Sequence, residues 1–129
     1  MHRALNQKTA RDLPFAAFLD LAASLGCVGV EPRNDLGRPF FDGLPAAEAA
    51  AMAKARGLRL LGLSEVYGFN VWDDTRAAEI VALMDMAEAA GAETISLIPT
   101  VDDRPTLPLR DAIREVLALA EGRKVLPLI

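Results

Sequence analysis

The chain has 129 residues, of which 52% are hydrophobic and 25% charged, so we expect one globular domain over residues 1–129. Its net charge of −4 provides no basic surface, which argues against nucleic acid as a partner. No apolar run reaches the ~18 residues of a membrane span, and the first residues lack the apolar core of a secretory signal. Because the single cysteine also excludes an internal disulfide, we expect a cytoplasmic protein without a membrane partner.

Strand-like and helix-like segments alternate from the first residues onward. A short strand from Arg3 to Asn6 precedes an amphipathic helix for which Asp12 is the expected N-cap. Three further helices are predicted to begin near Pro45, Asp73 and Pro108. The other strands are predicted in residues 27–31, 58–66, 93–99 and 124–129, as short apolar runs without clean alternation, typical of strands covered on both faces.

Four glycines recur at intervals of about 30 residues, each at the end of a helical run and before a strand. They are Gly26, Gly57, Gly91 and Gly122. A glycine is favoured just past a helix because the chain turns there through a left-handed conformation. This repeat of helix, glycine and strand indicates consecutive βαβ units with right-handed crossovers and one parallel sheet.

Two parallel α/β architectures fit four β/α units plus the start of a fifth strand. One is about half of a TIM (β/α)8 barrel, whose usual length is about 250 residues. The other is a complete five-stranded flavodoxin-like sheet, with strand order 2-1-3-4-5. Against a receiver-type version of the second, the first strand ends in Asn6, the third ends in Ser64 and Glu65, and no lysine follows the fifth. The sequence favours the half-barrel.

Three segments carry a resemblance to a known family: GCVGVEPRND at 26–35, GLRLLGLSEVYGFNVWDD at 57–74 and AAGAETISLIPTVDD at 89–103. Together with ALNQKT at 4–9 and KVLPLI at 124–129, they resemble the sugar phosphate isomerase/epimerase family. This is the xylose isomerase-like TIM-barrel group, which includes inosose dehydratases and hydroxypyruvate isomerases. The resemblance extends along nearly the whole chain and implies the barrel fold.

The resemblance also implies a divalent metal (Mn, Mg, Zn or Co), which such proteins hold with carboxylates and a histidine from strands 5 to 8. The fifth predicted strand is cut at Ile129, so no residue here inherits a metal role, and we expect this chain alone to bind none. The chain would be the N-terminal half of a metal-dependent isomerase, epimerase or dehydratase of small sugars or inositol derivatives, inactive by itself.

Two other functions stay open. A half-barrel exposes two unpaired strand edges and an apolar inner face, so the chain is alternatively a non-catalytic scaffold that forms homo-oligomers through those edges. A flavodoxin-like sheet would instead make it a small-molecule-binding domain.

Candidate site residues follow the strands, at the end where α/β proteins bind their ligands. Glu31 and Arg33 end the second strand and are two residues apart, so both can face one side. Arg33 either donates to a sugar hydroxyl, carboxylate or phosphate, or forms a structural ion pair that fixes the loop. Asn6 and Lys8 leave the first strand in the same way, and we expect Asn6 to contact substrate.

The third strand and its loop provide the other candidates. Glu65 is the one catalytic candidate, as a general base, with a pocket hydrogen bond as the alternative. Tyr67 and Trp72 are expected to bind substrate, together with Phe69 and Asn70 on the same loop, unless that loop only packs over the barrel rim.

Three further features receive structural interpretations. His2, the only histidine, is expected to be exposed, because a lone terminal histidine makes no metal site. Cys27 is expected to be a buried, inert thiol. The pair Asp102 and Asp103 is expected to be a solvated loop or a helix cap rather than a metal ligand.

Overall fold

The computed structural model describes residues 1–102 and 104–129, and strands and helices alternate along them. The six strands are β1 (Ala4–Asn6), β2 (Gly29–Glu31), β3 (Arg59–Leu60), β4 (Gly62–Tyr67), β5 (Thr94–Ile98) and β6 (Leu126–Leu128). The α-helices of the described residues are α1 (Phe15–Ser24), α2 (Ala46–Ala55), α3 (Asp74–Ala90) and α4 (Leu109–Ala120), and short 3-10 helices span Gln7–Ala10 and Phe40–Gly43. The elements of the predicted repeat are therefore present in the predicted order.

All strand pairs are parallel and follow the chain order. β1 pairs with β2 and β2 with β3, while β4 pairs with β5 and β5 with β6. A bridge between Arg33 and Ser64 links the two sheets, and β3 and β4 divide the single strand predicted over residues 58–66. A flavodoxin-like sheet would place β1 between its neighbours in the order 2-1-3-4-5, so the flavodoxin alternative is wrong.

The predicted helix-end glycines all have positive φ angles, between 67° and 76°. In contrast, Asp12 does not cap the first helix. That helix begins at Phe15, whose amide donates to Asp42 Oδ2 at 2.7 Å. Phe41 and Asp42 have φ angles of 59° and 56°, and the buried Phe41 ring packs 5.3 Å from the Phe15 ring. A residue from a distant loop thus replaces the expected local cap.

The core lies between the helices and the outer face of the sheet. The strands direct alternate apolar side chains outward into it, among them Val30, Leu60, Leu63, Ile95 and Leu97. The opposite, inner face is lined by small and polar residues and by leucines that stay accessible, with Leu126 and Leu128 exposed at 62% and 52%. The inner face of a barrel fragment has this character because no further strands pack against it.

No helix in the part of the chain that the structure describes is long and apolar enough to cross a membrane.

Candidate functional site

Four polar side chains meet on the inner face and form what we call the inner-face cluster: Asn6, Glu31, Ser64 and Ser96. Asn6 Nδ2 donates to Glu31 Oε2 at 2.7 Å, and Ser96 Oγ donates to Glu31 Oε1 at 3.2 Å. The Ser64 hydroxyl also donates to Glu31 Oε1. The Glu31 carboxylate therefore accepts hydrogen bonds from three strands, β1, β4 and β5.

The strand register brings these residues together. Asn6 lies opposite Glu31 in the β1–β2 pair, and Ser64 lies opposite Ser96 in the β4–β5 pair. Asn6 and Glu31 are the last residues of β1 and β2, whereas Ser64 and Ser96 lie inside β4 and β5. The carboxyl end of the strands carries the active sites of TIM-barrel enzymes. The inner face beside the cluster forms an open cleft of about 480 Å³.

A second polar group, the rim network, joins the segments that follow β1 and β2 to a residue of β4. It consists of Gln7, Lys8, Arg33, Asp35 and Glu65. Arg33 binds Asp35 through Nε at 2.6 Å and Nη2 at 2.9 Å, and the same Nη2 reaches Glu65 Oε2 at 2.8 Å. Lys8 Nζ lies 3.1 Å from Asp35, and Gln7 Oε1 accepts from the Arg33 amide at 2.9 Å.

Electrostatics within the rim network favour the charged forms. The hydrogen bonds from Arg33 hold the pKa of Asp35 well below its usual value, with a further contribution from Lys8 against the opposing effect of burial. The same contact with Asp35 raises the pKa of Arg33 above its usual value. Both groups are therefore firmly ionised at neutral pH.

The structure separates two residues that the sequence placed on one side. Glu31 lies in the inner-face cluster, whereas Arg33 is 8% exposed and its guanidinium contacts Asp35 and Glu65 rather than Glu31. Glu65 likewise contacts Arg33 and does not join the inner-face cluster among the described residues. Arg33 therefore has the ion-pair geometry of the structural alternative.

Glu65 and Tyr67 line a different cavity, which we call the outer cleft. It measures about 500 Å³ and lies between α3, the end of β4 and the loop after β2. The exposed Tyr67 ring stands at its edge. Of the predicted site residues, Asn6 and Glu31 thus line the inner cleft, Glu65 and Tyr67 line the outer cleft, and Arg33 and Trp72 line neither.

The loop after β4 is held by hydrogen bonds to the segment that follows β5. Phe69 and Asn70 are buried, and Asn70 Oδ1 accepts from the Thr100 amide at 2.7 Å. The Trp72 amide donates to Thr106 Oγ1 at 2.6 Å, and the half-buried indole packs against the core. These contacts describe a loop packed against its neighbour.

The remaining candidates lie away from both cavities. His2 is exposed, as expected, and Cys27 is half-buried rather than buried, because it precedes β2 at the edge of the core. Asp102 Oδ1 accepts from the Arg104 amide at 3.1 Å, while Asp103 lies outside the described residues. Within residues 1–102 and 104–129, no three His, Cys, Asp or Glu side chains lie close enough to hold a metal. The described residues alone therefore do not fit a metal centre.

Sequence reasoning missed Ser64, Ser96, Gln7 and Asp35 as members of these two groups. A signal for Ser96 is present, since Thr94 and Ser96 alternate with the buried Ile95 and Leu97, a period-2 pattern that places the polar residues on one face. The roles of Gln7 and Asp35 have no such signal, because they depend on how the loops fold back onto Arg33.

No protein-family model and no curated protein sequence match the chain. Several solved structures match its fold. A xylose isomerase domain-containing protein from Salmonella typhimurium LT2 superimposes with a TM-score of 0.82 and 26% identity, over 92% of this chain and 43% of that one. The IolI protein with a bound zinc atom superimposes with a TM-score of 0.78 and 18% identity, over 98% and 51%.

A D-psicose 3-epimerase from Clostridium cellulolyticum H10, solved with D-tagatose, gives a TM-score of 0.67 at 16% identity, over 97% of this chain and 50% of that one. The chain therefore spans about half of the length of each of these proteins. Their common architecture agrees with the parallel, sequential strand order described above. The resemblance predicted from the sequence is confirmed: this chain has the fold of xylose isomerase-like TIM-barrel proteins, over about half of the barrel.

Proposed function

We propose that the chain is the N-terminal half of a metal-dependent isomerase or epimerase that acts on small sugars, sugar phosphates or inositol derivatives. Its own contribution is one wall of the substrate site, the inner-face cluster. The reaction class is proton transfer beside a carbonyl group, as in the isomerases and dehydratases that the sequence resembles.

The hydrogen-bonding state of Glu31 carries the proposal. A carboxylate offers about four acceptor positions. Three of these positions in Glu31 are filled by Asn6, Ser64 and Ser96. One position remains for a donor that enters the inner cleft, and the serine hydroxyl oxygens can accept in turn. A surface with one remaining acceptor and several hydroxyls is suited to a polyhydroxylated ligand, whose hydroxyls both donate and accept.

The fold neighbours support this substrate class. D-Tagatose is a sugar bound by the D-psicose 3-epimerase, and IolI carries zinc. Because the described residues alone do not fit a metal, the proposal assigns the metal ligands to other residues of the complete enzyme. In this proposal, Asn6, Glu31, Ser64 and Ser96 orient the substrate hydroxyls. Glu65 is kept as a candidate general base, with its carboxylate bound to Arg33 at the rim.

Binding of a polyol to the chain tests the proposed role of the inner-face cluster in substrate recognition. Titration of the ¹⁵N-labelled chain with myo-inositol should shift the amide signals of the inner-face cluster, with a dissociation constant on the order of millimolar, since only one wall contributes. Cyclohexanol, which has one hydroxyl, should give much weaker shifts. Glu31→Gln should weaken the inositol response, whereas Glu115→Gln, at an exposed position on α4, should leave it unchanged. Equal responses to the two ligands would overturn the proposal.

An activity measurement tests the proposal that the metal ligands lie outside the described residues. The chain alone, with added Mn²⁺ or Mg²⁺, should not isomerise sugars or dehydrate inososes at a measurable rate. Robust turnover would place the whole catalytic centre in these residues and contradict the assignment of the metal ligands elsewhere.

We also keep the cytoplasm as the proposed location, consistent with the lone Cys27.

A second candidate function is a self-associating scaffold, favoured by the accessible apolar residues at β6. Leu126, Leu128 and Ile129 are each more than half exposed. Two copies could cover these residues by pairing their strand edges. Sedimentation of the chain at several concentrations should then show a dimer that Leu128→Lys dissociates, and a strictly monomeric chain would exclude this function.

A further inference from the structure

The strand β4 contains one extra residue, Glu65. Ser64 of β4 lies opposite Ser96 of β5. The next residue of β5, Leu97, lies opposite Val66, so the register between the two strands skips Glu65. This arrangement is a β-bulge, in which a strand gains a residue that has no partner across the ladder. The backbone N–H and C=O of Glu65 therefore need hydrogen-bond partners outside the β4–β5 ladder.

The side chain of Asn34 provides both partners. Its Oδ1 accepts from the Glu65 amide at 2.8 Å, and its Nδ2 donates to the Glu65 carbonyl at 3.1 Å. The backbone amide of Asn34 also donates to the carbonyl of Ser64 at 2.9 Å. A carboxamide carries an acceptor and a donor in one plane, as a peptide group does, so Asn34 binds the bulge as a neighbouring strand would.

The bulge determines which face of the sheet the Ser64 side chain occupies. In a regular strand, Ser64 and Val66 are two residues apart and would lie on the same face. Here Val66 is buried in the core, whereas the Ser64 hydroxyl donates to Glu31 on the inner face. The extra residue allows both positions at once. Without the bulge, either Ser64 would face the core or Val66 would leave it.

We propose that Asn34 is a positioning residue of the substrate site, because its carboxamide stabilises the bulge that directs the Ser64 hydroxyl to Glu31. This inference rests on the proposed role of the inner-face cluster in polyol recognition. Asn34 itself is exposed and lines the outer cleft rather than the inner one, so it affects a ligand of the inner cleft through Ser64.

Titration of the ¹⁵N-labelled chain with myo-inositol tests the proposal. Asn34→Ala should raise the dissociation constant about fivefold, because the ligand loses the Ser64 hydroxyl and Glu31 loses one of the donors that fix it. Asn34→Asp keeps the acceptor for the Glu65 amide and loses the donor, so a smaller increase is expected. A dissociation constant of Asn34→Ala equal to that of the wild-type chain would overturn the proposal.

Thr106→Ala is the matched control for the loss of two hydrogen bonds. The exposed Thr106 hydroxyl accepts from the Trp72 amide at 2.6 Å and donates to the Trp72 carbonyl at 3.0 Å. It thus binds one backbone residue in the same twofold way as Asn34 does, but away from the bulge. Thr106→Ala should leave the affinity for myo-inositol unchanged, and a loss as large as that of Asn34→Ala would contradict a specific role of Asn34.

A double-mutant cycle separates positioning from a general loss of structure. In a Ser64→Ala background the hydroxyl is already absent, so the addition of Asn34→Ala should not weaken myo-inositol binding further. Additive losses would show that Asn34 acts independently of Ser64 and would contradict the proposal.

A measurement without ligand distinguishes a failure of this inference from a failure of the proposed function. The β protons of Ser64 and Ser96 should give an NOE in the wild-type chain, because both hydroxyls donate to the same oxygen of Glu31. The NOE should weaken or disappear in Asn34→Ala and persist in Thr106→Ala. If the wild-type chain does not bind myo-inositol and the NOE still depends on Asn34, the proposed function is wrong and the positioning of Ser64 stands. An NOE that is unchanged in Asn34→Ala overturns the inference.

Discussion

The inner-face cluster and the rim network both include a residue from β2 or its end and a residue from β4, yet they satisfy their charges in different ways. In the rim network, Lys8 and Arg33 balance Asp35 and Glu65, and the charged groups bind one another. In the inner-face cluster, neutral donors surround the single carboxylate of Glu31. The network is internally compensated, whereas the cluster keeps one negative charge and one acceptor position.

This difference suits the rim network to stabilising the fold and the inner-face cluster to binding a ligand. A compensated ion-pair network holds loops in place but has little left to offer a ligand, and removing one partner leaves its counter-ions unpaired. A carboxylate held by neutral donors is fixed in position and still attracts a donor. We therefore expect changes in the rim network to lower the free energy of unfolding, and changes in the cluster to weaken polyol binding more than they lower stability.

The largest effect is expected from Arg33→Ala. Because Arg33 is nearly buried and binds two carboxylates, its removal should lower the free energy of unfolding by about 3 kcal/mol, measured by urea denaturation at pH 7. Arg33→Lys keeps the positive charge but loses the planar guanidinium that binds two carboxylates, so we expect a smaller decrease in the free energy of unfolding. A loss below about 0.5 kcal/mol for the alanine variant would place Arg33 among weak surface ion pairs.

The second-largest effect is expected in the pH dependence of the free energy of unfolding. The pKa of Asp35 is lower in the folded protein than its unfolded value of 3.8, so its stabilisation is complete above that value. As the pH falls below about 4, the unfolded chain takes up the proton first, and the stabilisation is lost progressively toward the lower folded pKa.

Urea denaturation between pH 7 and pH 3 measures this dependence. Asp35→Asn should flatten the acid side of the curve, since it removes the group whose proton uptake differs between the two states. Asp111→Asn is the control, because Asp111 and Arg114 form an exposed pair on α4 and should contribute little. An unchanged acid slope in Asp35→Asn would show that other carboxylates dominate.

Substitutions of Glu31 test the inner-face cluster in the same way. Glu31→Ala leaves three donors without their acceptor and should cost about 1–2 kcal/mol of stability. Glu31→Gln keeps an acceptor for the two serines and should cost less than about 1 kcal/mol, yet it removes the charge and should weaken the response to myo-inositol. Equal losses of inositol binding in Glu31→Gln and Arg33→Lys would abolish the proposed separation.

The smallest effects distinguish the two serines. Ser64 is 1% exposed, so Ser64→Ala should lower the free energy of unfolding by about 1 kcal/mol. Ser96 is half-buried and its hydrogen bond is 3.2 Å long, so Ser96→Ala should cost only about 0.5 kcal/mol. Thermal unfolding of both variants side by side measures the difference, and a larger loss for Ser96→Ala would reverse the assignment.

Local rules were sufficient for most of the fold. The helix-end glycines and Asp73, whose carboxylate accepts from the Arg76 amide at 2.7 Å, act over a few residues, and the sequence displays them directly. Asp12 and Asp42 mark the limit of those rules. Both lie in loops and either could cap a helix, but only packing of Phe41 against Phe15 decides that Asp42 reaches the first amide.

The candidate site shows the same limit. The ends of β1 and β2 could be predicted, and Asn6 and Glu31 lie there, whereas Glu65, expected to end its strand, lies inside β4. Their hydrogen-bond partners depend on the conformation of the loops that follow the strands. The guanidinium of Arg33 binds Asp35 and Glu65, and this choice depends on the fold of the segment after β2.

The long-range cap of α1 also affects how the molecule opens. The Phe15 amide donates to Asp42, and Arg38 holds the same carboxylate at 2.8 Å while donating to the backbone oxygens of Arg11 and Leu13. The start of the helix is thus attached to the loop after β2. When that loop alone detaches, the Phe15 amide exchanges its hydrogen with solvent, while Phe18, bonded to the carbonyl of Pro14, stays protected. Hydrogen exchange at one residue of a helix therefore reports the opening of a loop 27 positions away.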